Sequence, residues 1–337
     1  MGLLVDGKWH DVWYETAAHD GRFVRDESRF RNWVTVDGQP GPTGRGGFRA
    51  DPDRYHLYVS LACPWAHRTL IMRQLKDLER MISISVVNAL MRERGWTFEP
   101  GPGVIADNVN HAECLHEIYT LANPDYSGRV TVPVLWDKKS RTIVSNESAD
   151  IMRMLNSAFD GLGAAQVDYF PEELRSEIES LNEFIYPHIN NGVYRAGFAT
   201  TQEAYAESVG ELFDALDVLD DRLSRNRYLT GTRITEADWR LFTTLVRFDP
   251  VYFGHFKCNK QQLRDYPNLW GYVCDLFQIT GVAETVDIPY IKQHYYGSHT
   301  AINPTGIVPV GPHIDYRVPH DRERLLTVSN SKQQMLA

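Results

Sequence analysis

Of the four cysteines in the sequence, at positions 63, 114, 258 and 274, Cys63 is set apart by its neighbours. The run Tyr-His-Leu-Tyr-Val-Ser-Leu-Ala (55–62) before it reads as a strand. Pro64 follows, and then a helical stretch from Trp65 to about Arg80. Proline suits the first helical position, where its missing N–H costs nothing. A thiol at a helix N-terminus faces unpaired backbone N–H groups and the positive end of the macrodipole, which favour a thiolate and lower the thiol pKa. Cys114, Cys258 and Cys274 lack that setting and read as small buried hydrophobes. No pair is spaced C-x-x-C, so no thiolate metal site is expected, and four cysteines in this length make no disulfide framework.

Three residues after Cys63 stands Ala66, not a second cysteine. A dithiol enzyme resolves its mixed disulfide with a thiol at that place. Here an external thiol has to do so, which points to glutathione. His67, one turn along, can tune the thiolate, although a packing histidine is the simpler reading. Val132-Pro133 puts a proline inside a strand pattern, where it is normally excluded. A cis bond at a strand start accounts for it, and such a bend exposes the Val132 backbone to a peptide. Glu147-Ser148 opens a helix. Its N-terminus and hydroxyl suit a carboxylate, and the Glu147 carboxylate suits an ammonium group. The γ-glutamyl end of glutathione offers both, and simple capping by Asn146-Glu-Ser is compatible with that.

These residues need a scaffold. ISISVV (82–87) reads as a second strand, VTVPVLW (130–136) and RTIVS (141–145) as two more, and a helix starts near Asn146. The order βαβ…ββα is that of a thioredoxin-like sheet. Residues 88–128 are an insertion with a helix expected from His111 to Leu121. From about Pro171 to Ile288 the patterns are helical; Thr235-Glu-Ala-Asp238 is a capping box with aspartate in the acidic position. The expected fold class is an α/β thioredoxin-like N-terminal domain plus an all-α C-terminal domain. The expected segments are an extension 1–54 carrying the loop Gly38–Gly47, a thioredoxin-like domain 55–158, a helical domain 159–288 and an extended tail 289–337, frayed after about Val318.

The 337 residues carry 35 basic and 44 acidic side chains, a net charge of −9. That balance argues against a nucleic-acid partner while leaving room for a local basic pocket. No stretch approaches the roughly 18 apolar residues of a membrane span, and the N-terminus lacks the basic start and apolar core of a secretory signal. A cytoplasmic protein is expected.

Together, Cys63-Pro-Trp-Ala-His-Arg68, Arg129-Val-Thr-Val-Pro133 and Ser145-Asn-Glu-Ser148 resemble the glutathionyl-hydroquinone reductases, the xi class of glutathione transferases. So do Phe30-Arg-Asn-Trp33, Tyr58-Val-Ser-Leu-Ala62, Asn191-Gly-Val-Tyr194, Phe248-Asp-Pro-Val-Tyr252 and Ile302-Asn-Pro-Thr-Gly306, so the resemblance runs to about Pro319. It implies the glutathione transferase fold, a homodimer, glutathione as co-substrate and no metal. It also implies reduction of glutathionyl-hydroquinones to hydroquinones. Cys63 would be the nucleophile. Trp96, Arg129, Val130, Thr131, Val132, Glu147 and Ser148 would bind glutathione. Tyr194 would move a proton, and Tyr252 and Tyr295 would lower the Cys63 pKa, with Tyr296 adjacent to the last. Trp96 equally suits a core or interface position. Rival readings are an omega-like thiol transferase or dehydroascorbate reductase, a conjugating transferase, and a non-catalytic binding protein on the same fold.

Overall fold

The computed structural model describes residues 2–325. It separates into one unit of Met1–Tyr14, Arg25–Asp168 and Glu284–Val308 and another of Glu15–Val24, Tyr169–Ala283 and Pro309–Ala337. The strands are β1 (Leu3–Val5), β2 (Lys8–His10), β3 (Tyr55–Val59), β4 (Ile82–Val86), β5 (Gly128–Arg129), β6 (Val134–Asp137) and β7 (Thr142–Ser145). Helices α1 (Pro64–Leu75), α2 (Leu115–Ala122) and α3 (Ser148–Ser157) lie in the first unit. Helices α4 (Arg175–Ile185), α5 (Gly192–Gly197), α6 (Gln202–Arg225), α7 (Glu236–Leu245) and α8 (Leu269–Phe277) lie in the second, and α9 (Ile288–Ser298) returns to the first.

The main sheet has the order β4-β3-β6-β7. β3 and β4 are parallel, joined by the α1 crossover, and β6 and β7 are antiparallel neighbours. This is the expected thioredoxin-like arrangement. All five residues of β3 are buried, as a central strand covered on both faces requires. β6 begins only at Val134, after the cis Val132–Pro133 bond, because proline has no N–H to give the ladder.

β3 also carries His56, buried with Nδ1 2.7 Å from Ser83 Oγ and Nε2 2.9 Å from Ser85 Oγ. Burial pushes the imidazole down to about 4. Between pH ~6.5 and 4 the unfolded chain takes up a proton that the folded chain refuses, so stability falls as the pH drops through that window. The loss amounts to about 3 kcal/mol by pH 4. His56→Gln is expected to flatten this acid limb in urea unfolding at pH 7.5, 5.5 and 4.5. An equally steep limb in the variant would assign the acid sensitivity to other groups.

Two boundaries moved for local reasons. The insertion helix starts at Leu115 rather than His111. The Asp107 carboxylate accepts the N–H groups of Val109, Asn110 and Ala112, and His111 has a left-handed φ of 57°. Cys114 and Glu117 then close a capping box. α1 stops at Leu75 because Asp77 is left-handed, with φ 54°, and Leu78 N–H donates back to Arg73 O at 2.9 Å.

The first 54 residues are more ordered than their composition suggests. β1 and β2 form a hairpin about Asp6-Gly7, with φ of 46° and 71°, and β1 also pairs with β5. Asp-Gly is a strong hairpin signal. Residues 30–32 run beside β7: Asn32 N–H donates to Val144 O, and Arg31 bridges to Ser145. The Gly-Pro-rich loop is a fixed cover: Trp33 Nε1 donates to Thr43 Oγ1 at 2.8 Å, and Arg45 N–H to Asn32 Oδ1 at 2.9 Å.

The expected extended tail is corrected in two places. Residues 288–298 are helix α9, opened by the Asp287 carboxylate accepting Tyr290 N–H. Beyond Val318, Arg322 is buried, and its guanidinium donates to the carbonyls of Leu223, Asn226, Arg227 and Asn268. It therefore neutralises the C-terminal end of α6. The end of the chain, from residue 326, lies outside the described residues.

In the second unit the capping box at α7 forms as read. Two wide turns, Tyr186–Asn190 and Phe248–Tyr252, have i→i+5 bonds: Asn191 N–H to Tyr186 O and Phe253 N–H to Phe248 O, both 2.8 Å. Each contains a proline, Pro187 or Pro250, that cannot donate to the ordinary helical acceptor. Among the described residues no helix is long and apolar enough to cross a membrane.

Candidate active site

Cys63 is the N-cap of α1, with extended backbone (φ −75°, ψ 119°) and Pro64 at the first helical position. The thiol is partly exposed, and Sγ donates to Val132 O at 3.5 Å. The thiol and the proline bend, separated by 69 residues, thus meet. His67 is buried with Nε2 2.8 Å from Thr285 Oγ1, so it packs α1.

Around the bend, Val130 and Val132 are buried. Arg129 is turned toward the N-terminal segment. It donates to the Val12 and Trp13 carbonyls, lies 4.2 Å from the Tyr14 ring centre and pairs with Asp26 at 3.6 Å. The reason lies in β5, whose Arg129 pairs with Leu3.

Glu147 caps α3. Its Oε1 accepts Ala149 N–H at 3.0 Å and its Oε2 accepts Ser28 Oγ at 3.0 Å. Ser148 is buried, with Oγ 3.4 Å from Arg68 Nη1. Arg68 follows Trp65 by three residues, a spacing that stacks side chains on one helix face, and its guanidinium lies 4.5 Å from the Trp65 ring centre. Arg25 lies 5.1 Å from the same ring. Trp65 and Arg68 stood in the sequence motif without a role. Arg25 carried no local signal.

Trp96 is 5% exposed and stacks on His294 at 4.9 Å. His294 Nδ1 is 2.8 Å from Ala89 O, which binds α9 to the insertion. Tyr295 is buried edge-on to His294 and His299, whereas Tyr296 is partly exposed. Two further tyrosines were missed by the sequence reading. Tyr290 donates to Val87 O, and burial pushes its phenol up, with negative charge at Cys63 acting the same way. Tyr14 is also pushed up by burial, opposed by the Arg25 and Arg129 charges and reinforced by Cys63.

The second unit holds the other two expected residues. Tyr194 on α5 and Tyr252 at the end of its wide turn have ring centres 6.0 Å apart, and Phe256 packs against both. Wide turns of this kind are frequent at functional sites.

The first unit therefore presents a thiol at a helix N-terminus, a bent backbone beside it and several arginines on a net acidic chain. That arrangement suits attack on a disulfide or thioether sulfur of an anionic peptide. One trio elsewhere, Cys114, His116 and Glu117, brings ligand-type atoms within 4.8 Å. Glu117 already accepts the N–H groups of Cys114 and Glu113, and His116 stacks on Trp9.

The family described as glutathione S-transferase, N-terminal domain, matches residues 62–158, and glutathione S-transferase, C-terminal domain, matches 202–273. The glutathionyl-hydroquinone reductase YqjG of Escherichia coli K12 is 60% identical over 96% of this chain and 99% of its own. This chain belongs to the glutathionyl-hydroquinone reductase family, the xi class of glutathione transferases. A glutathione-bound structure of YqjG superposes on this transferase with a TM-score of 0.89, covering 96% of this chain and 99% of that one at 57% identity. The xi-class transferase of Natrialba magadii gives 0.90, with 50% identity and 96% and 98% coverage. The glutathionyl-hydroquinone reductase PcpF of Sphingobium chlorophenolicum is 55% identical over 93% of this transferase and 96% of its own chain.

Proposed function

We propose that this transferase reduces glutathionyl-hydroquinones to hydroquinones, with glutathione as co-substrate and oxidised glutathione as second product. One observation carries the reading: the partly exposed Cys63 thiol at the α1 N-terminus, against the Val132 carbonyl, with alanine where a resolving cysteine would stand. The relatives' reductase activity agrees with it.

The chemistry then balances in two steps. The ring of the conjugate tautomerises to a ketone. The Cys63 thiolate attacks the glutathione sulfur, the carbon–sulfur bond breaks, and its electron pair leaves on carbon as a stabilised enolate. Tyr194 supplies or removes the ring proton as general acid/base, and the hydroquinone departs. A second glutathione thiolate then attacks the Cys63–glutathione disulfide, releasing oxidised glutathione and the free thiolate. In this reading Tyr252 and Tyr295 stabilise that thiolate by donating hydrogen bonds. Val130, Thr131 and Val132 hold the tripeptide backbone, and Glu147 and Ser148 take its γ-glutamyl end. Trp96 packs on the bound peptide or the aromatic ring. Arg129 acts from its place under the N-terminal segment. The class resemblance also carries a homodimer in the cytoplasm.

The deciding experiment is intact-protein mass spectrometry after one equivalent of glutathionyl-menadiol without added glutathione. The expected result is a gain of one glutathione on Cys63 with free hydroquinone released. Neither adduct nor release, combined with turnover of dehydroascorbate, would favour the omega-like thiol transferase reading.

A further inference from the structure

We propose that Tyr119, on α2 of the insertion, is a positioning residue that locks the proline bend to the turn opening α3, and so sets the affinity for glutathione. The inference rests on the reading of those two segments as the glutathione site. The Tyr119 side chain is fully buried. Its hydroxyl donates to Thr131 O at 2.8 Å and accepts from Thr131 N–H and from Asn146 Nδ2, each at 3.2 Å. A phenol has one proton to give and lone pairs to accept, so one oxygen engages both backbone groups of Thr131 and the side chain of Asn146.

Those partners flank the site. Thr131 precedes Val132, whose carbonyl accepts the Cys63 thiol, and Asn146 precedes Glu147 and Ser148. The other end of the Asn146 amide is also fixed, since its Oδ1 accepts Phe30 N–H at 3.1 Å. The phenol ring packs against Tyr126 at 5.1 Å and Phe30 at 5.9 Å, which leaves the hydroxyl little freedom. Without it, Thr131 N–H and Asn146 Nδ2 lose a buried acceptor and Thr131 O loses a donor. The bend and the turn can then drift apart, and a peptide that must meet both loses alignment at each.

The test is calorimetric titration of reduced glutathione into Cys63→Ser protein, which cannot form the mixed disulfide, with and without Tyr119→Phe. The phenylalanine keeps the ring and removes only the hydroxyl. Kd is expected to rise about 10-fold, equivalent to ~1.4 kcal/mol. With Cys63 restored, KM for glutathione should rise similarly while kcat at saturation stays within about threefold. Asn146→Ala should weaken binding less, and the double variant should fall short of the sum. Equal Kd with and without Tyr119→Phe, whatever the melting temperature does, would overturn the inference alone. No glutathione binding by the Tyr119-intact protein would overturn the glutathione reading as well.

Discussion

Alanine at position 63 is expected to lower glutathionyl-hydroquinone turnover by at least about 10³-fold, because removing a nucleophile leaves only binding and proton transfer to act. The fold should persist. The side chain is partly exposed, and its hydrogen bond to Val132 O is long at 3.5 Å. A melting-temperature change of about 2 °C or less is therefore expected. No other cysteine can take over. Cys114, Cys258 and Cys274 are all buried. Burial pushes the Cys114 and Cys258 thiols up, and the Cys274 thiol up to about 12. At neutral pH their thiolate fractions are small and their access is closed. The Cys63→Ala protein should accordingly gain no glutathione mass on incubation with oxidised glutathione. Retained turnover, or an adduct on another cysteine, would move the nucleophile elsewhere.

The second large effect is on stability. Asp238→Ala is expected to cost roughly 3–5 kcal/mol. The Asp238 carboxylate is completely buried. Oδ1 accepts Leu229 N–H at 2.9 Å and Tyr272 O–H at 2.8 Å, and Oδ2 accepts Thr235 N–H at 2.8 Å and Thr235 Oγ1 at 3.1 Å. One side chain thus caps α7, fixes the turn at Leu229 and ties down α8 through Tyr272. Alanine leaves those donors buried without an acceptor, where water cannot replace the lost partner. Urea unfolding followed by far-ultraviolet circular dichroism measures the loss. Asp238→Asn should recover part of it, because one oxygen still accepts while the new NH₂ opposes a donor. A cost below about 1 kcal/mol for alanine would show that the site relaxes to admit other acceptors.

The two predictions differ in how visible their residues were. Thr235 and Asp238 are three apart, so the capping box could be read directly, but Leu229 and Tyr272 as further donors could not. Cys63 was likewise legible because its signal is local: a strand run, a proline at the first helical position and no thiol at position 66. His67 showed the limit of that approach. Its spacing from Cys63 allowed a tuning role, and its buried bond to Thr285, 218 residues away, makes it a packing residue.

The N-terminal 54 residues and α9 show the same limit on a larger scale. β1 is three residues long and β5 two, too short to display a period of two, and their pairing joins Leu3 to Arg129. The Ser28–Glu147 bond spans 119 residues and the His294–Ala89 bond 205. Neither leaves a trace in a local window. The contacts of Arg129 with Val12, Trp13 and Tyr14 leave no local trace for the same reason.

What the sequence by itself determined, then, was what short-range physics controls: the thiol at a helix start, the proline that interrupts a strand, the caps, and the βαβ…ββα order of elements. Only the tertiary structure decided which distant groups pack around those segments. It set Tyr119 between the bend and the α3 turn, and stacked Trp96 on a helix expected to be a tail. The physical reason is that a buried hydrogen-bonding group must find a partner wherever the packed chain supplies one, and sequence separation does not enter that requirement.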